Sequence, residues 1–254
     1  MEAKNPLQDL HNRFLLQAYW TAENRKRLYE SVKIHQASRV LEVGSGTGAI
    51  LHELTKVPSL LTHGIDIDPE AVSFARNIDP NSIYTIGDGF HLPYAKNTFE
   101  VTLCHFLLMW VSDPLAVLRE MGRVTKSPGA VLALAEPDYG GRIDFPESLK
   151  TLGHQQAQAL ENQGANTEIG RKLRMFFSQA GFVNIHTGVL GGEWYGVPDK
   201  NTLNLEWKTL TSDLQGRISK EELEEYHRIE QEAWNQGYRM LYVPTFYALG
   251  WIPA

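Results

Sequence analysis

The sequence predicts an α/β protein in which a doubly wound, mostly parallel sheet is covered by helices on both faces. Two observations support this fold class. Short apolar, β-branched segments alternate with helical patterns between residues 37 and 136, as is typical of parallel sheets with crossover helices. No linker rich in proline, glycine or serine divides the 254 residues, so we expect one domain with a large core.

The N-terminal third is predicted to begin with helices, followed by three strands that alternate with two helices. Residues 1–36 show apolar side chains at three- and four-residue spacing, and Thr21 is predicted to cap a second helix within them. An Asp68-Pro69 pair predicts the cap and first turn of a later helix. In this part of the chain we expect strands over residues 39–43, 60–65 and 82–86 and helices over 47–55 and 69–77.

The remaining elements become less regular toward the C-terminus. The pattern predicts strands over residues 99–104, 130–135, 182–190 and 240–251, and helices over 113–126, 146–161, 168–180 and 219–234. The last of these helices begins with a Ser-Lys-Glu-Glu capping box. We interpret residues 198–238 as an insertion before the final strand that caps the functional site.

Composition and charge exclude several classes of protein. The net charge of −6 argues against a general nucleic-acid-binding surface. Cys104 is the one cysteine, which rules out a disulfide within the chain and a cysteine zinc site. The sequence shows no apolar run long enough to span a bilayer, no secretory signal core and no metal-ligand spacing. We expect a cytoplasmic protein without a bound metal or membrane insertion.

A glycine-rich loop after the first strand is the part of the sequence that most clearly indicates a function. Gly44, Gly46 and Gly48 allow a tight turn and a close approach of the backbone to a ligand. Asp66 ends the next strand 22 residues after Gly44, the spacing at which a carboxylate meets ribose hydroxyls in nucleotide-binding units. The pattern therefore predicts a nucleoside ligand.

Glycine spacing alone leaves two ligands open, because Gly44, Gly46 and Ala49 also satisfy a dinucleotide fingerprint. Charge favours one of them. Glu42 lies two residues before the first glycine and would repel the pyrophosphate of NAD, whereas S-adenosylmethionine (SAM) carries cationic sulfonium and ammonium groups. Asp88, after the third strand, can accept a hydrogen bond from an adenine amino group or simply begin a turn.

Four segments of the chain resemble the class I SAM-dependent methyltransferases, nearest the group that contains ubiquinone/menaquinone-biosynthesis methyltransferases. They are Val-Leu-Glu-Val-Gly-Ser-Gly-Thr-Gly (residues 40–48), Gly-Ile-Asp-Ile-Asp-Pro (64–69), Gly-Asp-Gly-Phe-His-Leu-Pro (87–93) and Arg-Val-Thr-Lys-Ser-Pro-Gly (123–129). The resemblance implies a seven-stranded sheet of order 3-2-1-4-5-7-6 with strand 7 antiparallel. It also implies SAM as methyl donor and S-adenosylhomocysteine (SAH) as product.

The same resemblance divides the chain and assigns its cofactor residues. It implies a helical N-terminal cap (1–36), a cofactor-binding half (37–136) and an acceptor half (137–254) with the 198–238 insertion. The residues that it places at the cofactor are Glu42 at the loop and amino acid end, Gly44, Gly46 and Gly48 at the methionine moiety, Asp66 at the ribose, Ile67 at the adenine face, Asp88 at the adenine amino group and the Gly89 backbone at a ring nitrogen.

Catalytic and acceptor residues are less clearly marked in the sequence. His105 ends the fourth strand and is a candidate general base, with a hydrogen-bonded wall of the pocket as the alternative. Tyr19 and Trp20 are candidates to close over the sulfonium by a cation–π contact, with core positions as the alternative. Further candidates for an acceptor pocket are His91, Tyr139, His154, Trp194, Tyr195 and Tyr247.

The predicted function is in-line transfer of a methyl group from SAM to a nucleophilic atom of a small molecule. Three alternatives remain at this point. They are a protein or RNA methyltransferase of the same fold, an NAD(P)-dependent oxidoreductase that uses the same loop, and a binding module without an acceptor site. The acceptor, its reacting atom and the oligomeric state do not follow from the sequence.

Overall fold

A computed structural model describes residues 6–190 and 197–254 and shows a seven-stranded sheet of order β3-β2-β1-β4-β5-β9-β7. Strand β9 runs antiparallel to both of its neighbours, while the other paired strands of this sheet run parallel. The predicted order and the antiparallel final strand are thus confirmed. The strands are β1 (Arg39–Val43), β2 (Leu61–Asp66), β3 (Ile83–Ile86), β4 (Phe99–Cys104), β5 (Thr125–Pro137), β6 (Ile143–Phe145), β7 (Val183–Val189), β8 (Met240–Tyr242) and β9 (Thr245–Trp251).

Helices cover both faces of this sheet, which explains why its central strands read as continuous apolar runs. On β1, Leu41 and Val43 pack into one core with α4 and α6, whereas Val40 packs into a second core with α1, α2 and α3. A smaller third core joins α5, α7 and α8. The helices are α1 (Pro6–Ser31), α2 (Leu51–Leu54), α3 (Pro69–Ile78), α4 (Pro114–Val124), α5 (Lys150–Asn162), α6 (Leu173–Gln179), α7 (Lys200–Asp213) and α8 (Lys220–Asn235).

Two helix caps follow the predictions from local sequence. The side chain of Asp68 accepts hydrogen bonds from the backbone N–H groups of Glu70 and Ala71 at the start of α3. Ser219 Oγ accepts from Glu222 N at the start of α8. Both caps satisfy N–H groups that the first turn of a helix leaves unpaired.

Three predicted boundaries are wrong. Thr21 does not cap a second helix, because its hydroxyl bonds back to Gln17 O (3.1 Å) inside the continuous α1. Helix α2 has four residues instead of the predicted nine-residue helix, since the glycine loop extends further toward it. The predicted last strand divides at Pro244, so β8 pairs with β6 while β9 enters the main sheet.

The region predicted to be an insertion, residues 198–238, contains α7 and α8. Together with α5 these helices lie beyond the carboxyl edge of the sheet, where open α/β folds bind ligands. Across residues 6–190 and 197–254, no helix combines the length and the hydropathy needed to traverse a bilayer.

Candidate functional site

The glycine loop after β1 adopts a backbone conformation that side chains would obstruct. Gly44, Gly46 and Gly48 have φ values of +72°, +48° and +80°, in the left-handed region that favours glycine. A Cβ atom at Gly48 would lie 2.3 Å from the hydroxyl of the buried Tyr84, and one at Gly46 would lie 2.9 Å from the Phe14 ring. At these three positions the loop can therefore present only backbone to a ligand above it.

Asp66, at the end of β2, holds this loop in place. One carboxylate oxygen accepts the N–H of Gly46 at 2.6 Å, and the other accepts the N–H of Asp68 at 3.0 Å. A carboxylate has about four lone-pair positions, so two remain after these bonds. Because Asp66 is only half-buried, these positions are available to hydroxyl groups of a ligand.

Glu42 lies beneath the loop and is 2% exposed. Burial, together with the negative charges of Glu53 and Asp66, raises the pKa of Glu42 well above its usual range, and Arg25 opposes this shift. Among the residues that the structure describes, no hydrogen-bond donor reaches Glu42 Oε2 or the buried Ser45 hydroxyl. An unpaired acceptor in this position fits a ligand that brings positive charge or N–H groups.

Residues that follow β2 and β3 form the adjoining edge of the site. Ile67 is 70% exposed, which makes an apolar surface available at the end of β2. Asp88 Oδ1 accepts the N–H of Phe90 (2.9 Å) in a tight turn, while Oδ2 stays half-exposed, 4.0 Å from His91 Nδ1. Gly89 packs closely against Val43. The turn and an accessible carboxylate oxygen are therefore both present at Asp88.

Helix α1 covers the glycine loop. His11 Nδ1 lies 2.9 Å from the Thr47 hydroxyl, and the Phe14 ring rests against Gly46. Tyr19 is 78% exposed, which contradicts the core position given as its alternative, while its cation–π contact with the sulfonium stays a prediction. The next residue, Trp20, lies about 100° further around the helix and faces the cavity described below.

The environment of His105 disfavours the predicted role as a base. Its Nε2 lies 3.0 Å from the Thr21 hydroxyl, which also accepts from Arg25. Burial and the positive charge of Arg25 lower the pKa of His105 to about 3. A histidine in this state is neutral near pH 7 and a weak proton acceptor. The alternative interpretation, a hydrogen-bonded residue in the wall of the site, agrees better with this geometry.

A cavity of about 400 Å³ opens beside the loop, beyond the carboxyl ends of β4 and β5. It lies between α1, α5, α7, α8 and β8, and its volume falls in the range of small-molecule sites. Tyr139 lines it as predicted, whereas His91, His154 and Tyr247 do not, and Trp194 and Tyr195 lie outside the described residues. Its aromatic lining consists of Trp20, Phe106, Tyr139, Trp207, Trp234 and Tyr242.

Charged side chains from distant parts of the chain also line the cavity, and the sequence patterns did not indicate them. Arg13, Arg142, Glu206 and Glu230 are the charged lining residues. Arg13 lies on α1 and Arg142 comes just before β6, whereas Glu206 lies on α7 and Glu230 on α8. Only the packing of α5, α7 and α8 brings them together, so no local signal marked them as a group.

Comparison with known proteins agrees with this geometry. The methyltransferase domain family matches residues 41–133. An uncharacterized methyltransferase from Schizosaccharomyces pombe is 29% identical over 66% of this chain and 66% of its own length. A demethylmenaquinone methyltransferase from Corynebacterium glutamicum is 30% identical over 61% of this chain and 68% of its own length.

Among solved structures, a phosphoethanolamine N-methyltransferase 2 from Haemonchus contortus in complex with S-adenosyl-L-methionine shares the fold. Its TM-score is 0.60 at 13% identity, and the match covers 92% of this chain and 53% of that one. The chain spans about half to two thirds of the length of the first curated relatives it matches. The matched domain contains the glycine loop and ends before the helices α5, α7 and α8 that enclose the cavity.

Proposed function

The chain belongs to the S-adenosylmethionine-dependent methyltransferases, and from this membership we propose that it methylates a small molecule held in the cavity beside the glycine loop. SAM, when bound, would supply a methyl carbon activated by the sulfonium: the acceptor atom would bond to that carbon in line as the carbon–sulfur bond breaks, with SAH as the leaving group. The protein must align the acceptor with that methyl group and exclude water. A dedicated base is not required for every acceptor, and we assign none here.

We place the cofactor along the carboxyl ends of β1, β2 and β3. In this proposal the backbone at Gly44, Gly46 and Gly48 holds the methionine moiety above Glu42, and the free lone pairs of Asp66 accept the ribose hydroxyls. The adenine lies against Ile67, with its amino group toward Asp88 and a ring nitrogen toward the Gly89 backbone. The unpaired Glu42 oxygen supports this placement, because it suits a cationic ligand.

The same buried carboxyl group disfavours a dinucleotide. Burial and the negative charges of Glu53 and Asp66 already raise the pKa of Glu42, so further negative charge at the loop would disfavour its ionised form more, whereas a cation would favour it. A pyrophosphate over this loop would add two further negative charges at short range. We therefore favour SAM over NAD(P) and a methyltransferase over an oxidoreductase.

The cavity between the helices is the observation that carries the small-molecule part of the proposal. Among the described residues, helix α1 lines it on one side and α5, α7 and α8 on the other, and its volume of about 400 Å³ suits a small molecule better than a folded protein or an RNA strand. In this proposal residues 1–36 and the 198–238 insertion form a lid over the acceptor half, residues 137–254. The net charge of −6 further disfavours RNA.

Calorimetry with SAM, SAH and NADH tests the cofactor, and transfer of labelled methyl groups from SAM to a metabolite extract tests the reaction. We expect SAM and SAH to bind and a labelled small molecule to form with release of SAH. Binding of NADH alone would overturn the proposal. SAM binding without transfer to any extract component would indicate a binding module instead, and label in RNA or protein would indicate a macromolecular acceptor. The cytoplasmic location stays a prediction.

A further inference from the structure

The wall of the cavity carries two cationic side chains, and each is already paired. Arg13 lies 3.5 Å from Asp213, and Arg142 lies 2.5 Å from Asp144. Arg142 also donates to Gln156 at 2.6 Å. The buried carboxylates offset the charge of both guanidinium groups, although Arg13 Nε has no hydrogen-bond partner among the described residues.

One of the two acidic lining residues is paired as well. Glu230, on α8, accepts from the buried Arg239 at 3.1 Å, and Arg239 also binds Asp144 at 2.9 Å. Within residues 6–190 and 197–254, Glu206 on α7 has no hydrogen bond and no ion pair, although it lines the cavity and is half-buried. Glu206 is therefore a carboxylate that faces the cavity without a partner.

The surroundings of Glu206 disfavour its charged form, which a ligand that supplies a cationic hydrogen-bond donor would stabilise. Burial and the nearby charge of Glu230 raise the pKa of Glu206 to about 7, while Arg239 acts in the opposite direction. Arg239 is already shared between Glu230 and Asp144. A buried charge or hydrogen-bonding group without a partner costs free energy that a matching donor recovers.

We infer that Glu206 selects acceptors that carry a protonated amine, by binding the ammonium group inside the aromatic cavity. This inference rests on the proposed function, because it names the class of acceptor for the same site. Trp20, Trp207 and Tyr242 line the cavity, and aromatic rings both stabilise cations and pack against an apolar body. An anionic acceptor would meet the unpaired carboxylate of Glu206, whereas the two cationic lining residues, Arg13 and Arg142, already lie beside buried carboxylates. The ammonium is a recognition group here, and the methylated atom can belong to another part of the molecule.

The effect of ligand charge on binding is tested with three probes of nearly the same shape: 2-phenylethylamine, 2-phenylethanol and phenylacetate. Their binding to the SAH-loaded protein is measured by calorimetry and ligand-observed NMR at pH 8, where Glu206 is mostly ionised and the amine is protonated. We expect the amine to bind about tenfold or more tightly than the alcohol, since a hydrogen bond to a charged group contributes about 1.5–3 kcal/mol. Phenylacetate should bind most weakly.

The variant Glu206→Gln should bring the amine to within about threefold of the alcohol, because the amide keeps the shape of the side chain and loses its charge. Glu224→Gln, on an exposed part of α8, removes an equal charge and should keep the wild-type preference. A wild-type protein that binds SAH but does not prefer the amine, or binds none of the probes, overturns the inference and leaves the methyltransferase proposal standing. This comparison of probes needs no variant, so a poorly folding Glu206→Gln would not remove the test. Absence of SAM and SAH binding would instead reject the proposed function.

Discussion

Replacement of Asp66 by alanine tests whether the end of β2 holds both the glycine loop and the cofactor. The carboxylate of Asp66 accepts two backbone N–H groups, Gly46 at 2.6 Å and Asp68 at 3.0 Å. Hydrogen bonds to a charged group contribute about 1.5–3 kcal/mol each, and the partial exposure of Asp66 favours the lower end. We therefore expect Asp66→Ala to lower the free energy of unfolding by about 3 kcal/mol.

The effect on cofactor binding comes from the two lone-pair positions that those bonds leave open. Loss of the ribose contacts and of the fixed loop should weaken SAM binding by about 2–3 kcal/mol, which is about 30- to 150-fold in Kd. Urea unfolding measures the first quantity, and calorimetric titration with SAM measures the second. Both are compared with the wild-type protein at the same pH and salt concentration.

Asp68→Asn provides a matched control two residues away. Asp68 caps α3 through a single oxygen that accepts from Glu70 N and Ala71 N, and asparagine can cap in the same way. Its SAM affinity should stay within about twofold of the wild type, since it loses no cap bond. If Asp66→Ala bound SAM as tightly as the wild type, or if Asp68→Asn lost as much affinity, Asp66 would not hold the cofactor.

Three further predictions follow from the same site. Gly48→Ala should destabilise the protein by about 2–4 kcal/mol in urea unfolding, from left-handed strain and the clash with the Tyr84 hydroxyl. In the Gly48→Ala protein, the second substitution Tyr84→Phe should recover part of the lost free energy of unfolding. If the effects of the two substitutions were strictly additive, the clash would be contradicted. His105→Gln should leave the shape of the pH–rate profile between pH 6 and 9 unchanged, because the histidine is already neutral in that range. The profile is measured with the acceptor found in the extract. If the variant lost an ionisation from the profile, His105 would again be the candidate base. A cationic ligand favours the ionised form of Glu42, so the binding of SAM should release a proton from this side chain at pH values below its raised pKa. In that range the affinity for SAM should rise by up to about tenfold per pH unit. Calorimetry in buffers of different ionisation enthalpy measures that proton, and Glu42→Gln should abolish its release.

Features encoded by neighbouring residues were predictable from the sequence. The apolar runs of β1 and β2, the Asp68 cap and the glycine loop all depend on interactions within a few residues or within one strand–helix unit. The positions of Gly44 and Asp66 relative to each other follow from that unit as well, since β1 and β2 are adjacent and parallel.

Features that depend on distant contacts were not predictable in this way. Tyr19 and Trp20 are adjacent in sequence, yet only the docking of α1 decides which of them faces the cavity. The lowered pKa of His105 depends on its burial in the folded chain and on Arg25, 80 residues earlier in the sequence. Glu206 became a candidate only because α7 packs beside α5 and α8, and its lack of a partner is a property of the folded surroundings.

Helix α1 lies against both parts of the proposed site, the glycine loop and the cavity, which are the two ligand compartments. One side of it contacts the glycine loop through His11 and Phe14, and another side closes the cavity through Arg13 and Trp20. Its later turns are anchored by the ion pair of Arg25 with Glu53 at 2.7 Å. Lifting the early turns of α1 about that anchor would therefore expose both compartments at once. In the proposed reaction, SAH and the methylated product would then leave through the same opening step. The rate of that step would set an upper limit on turnover.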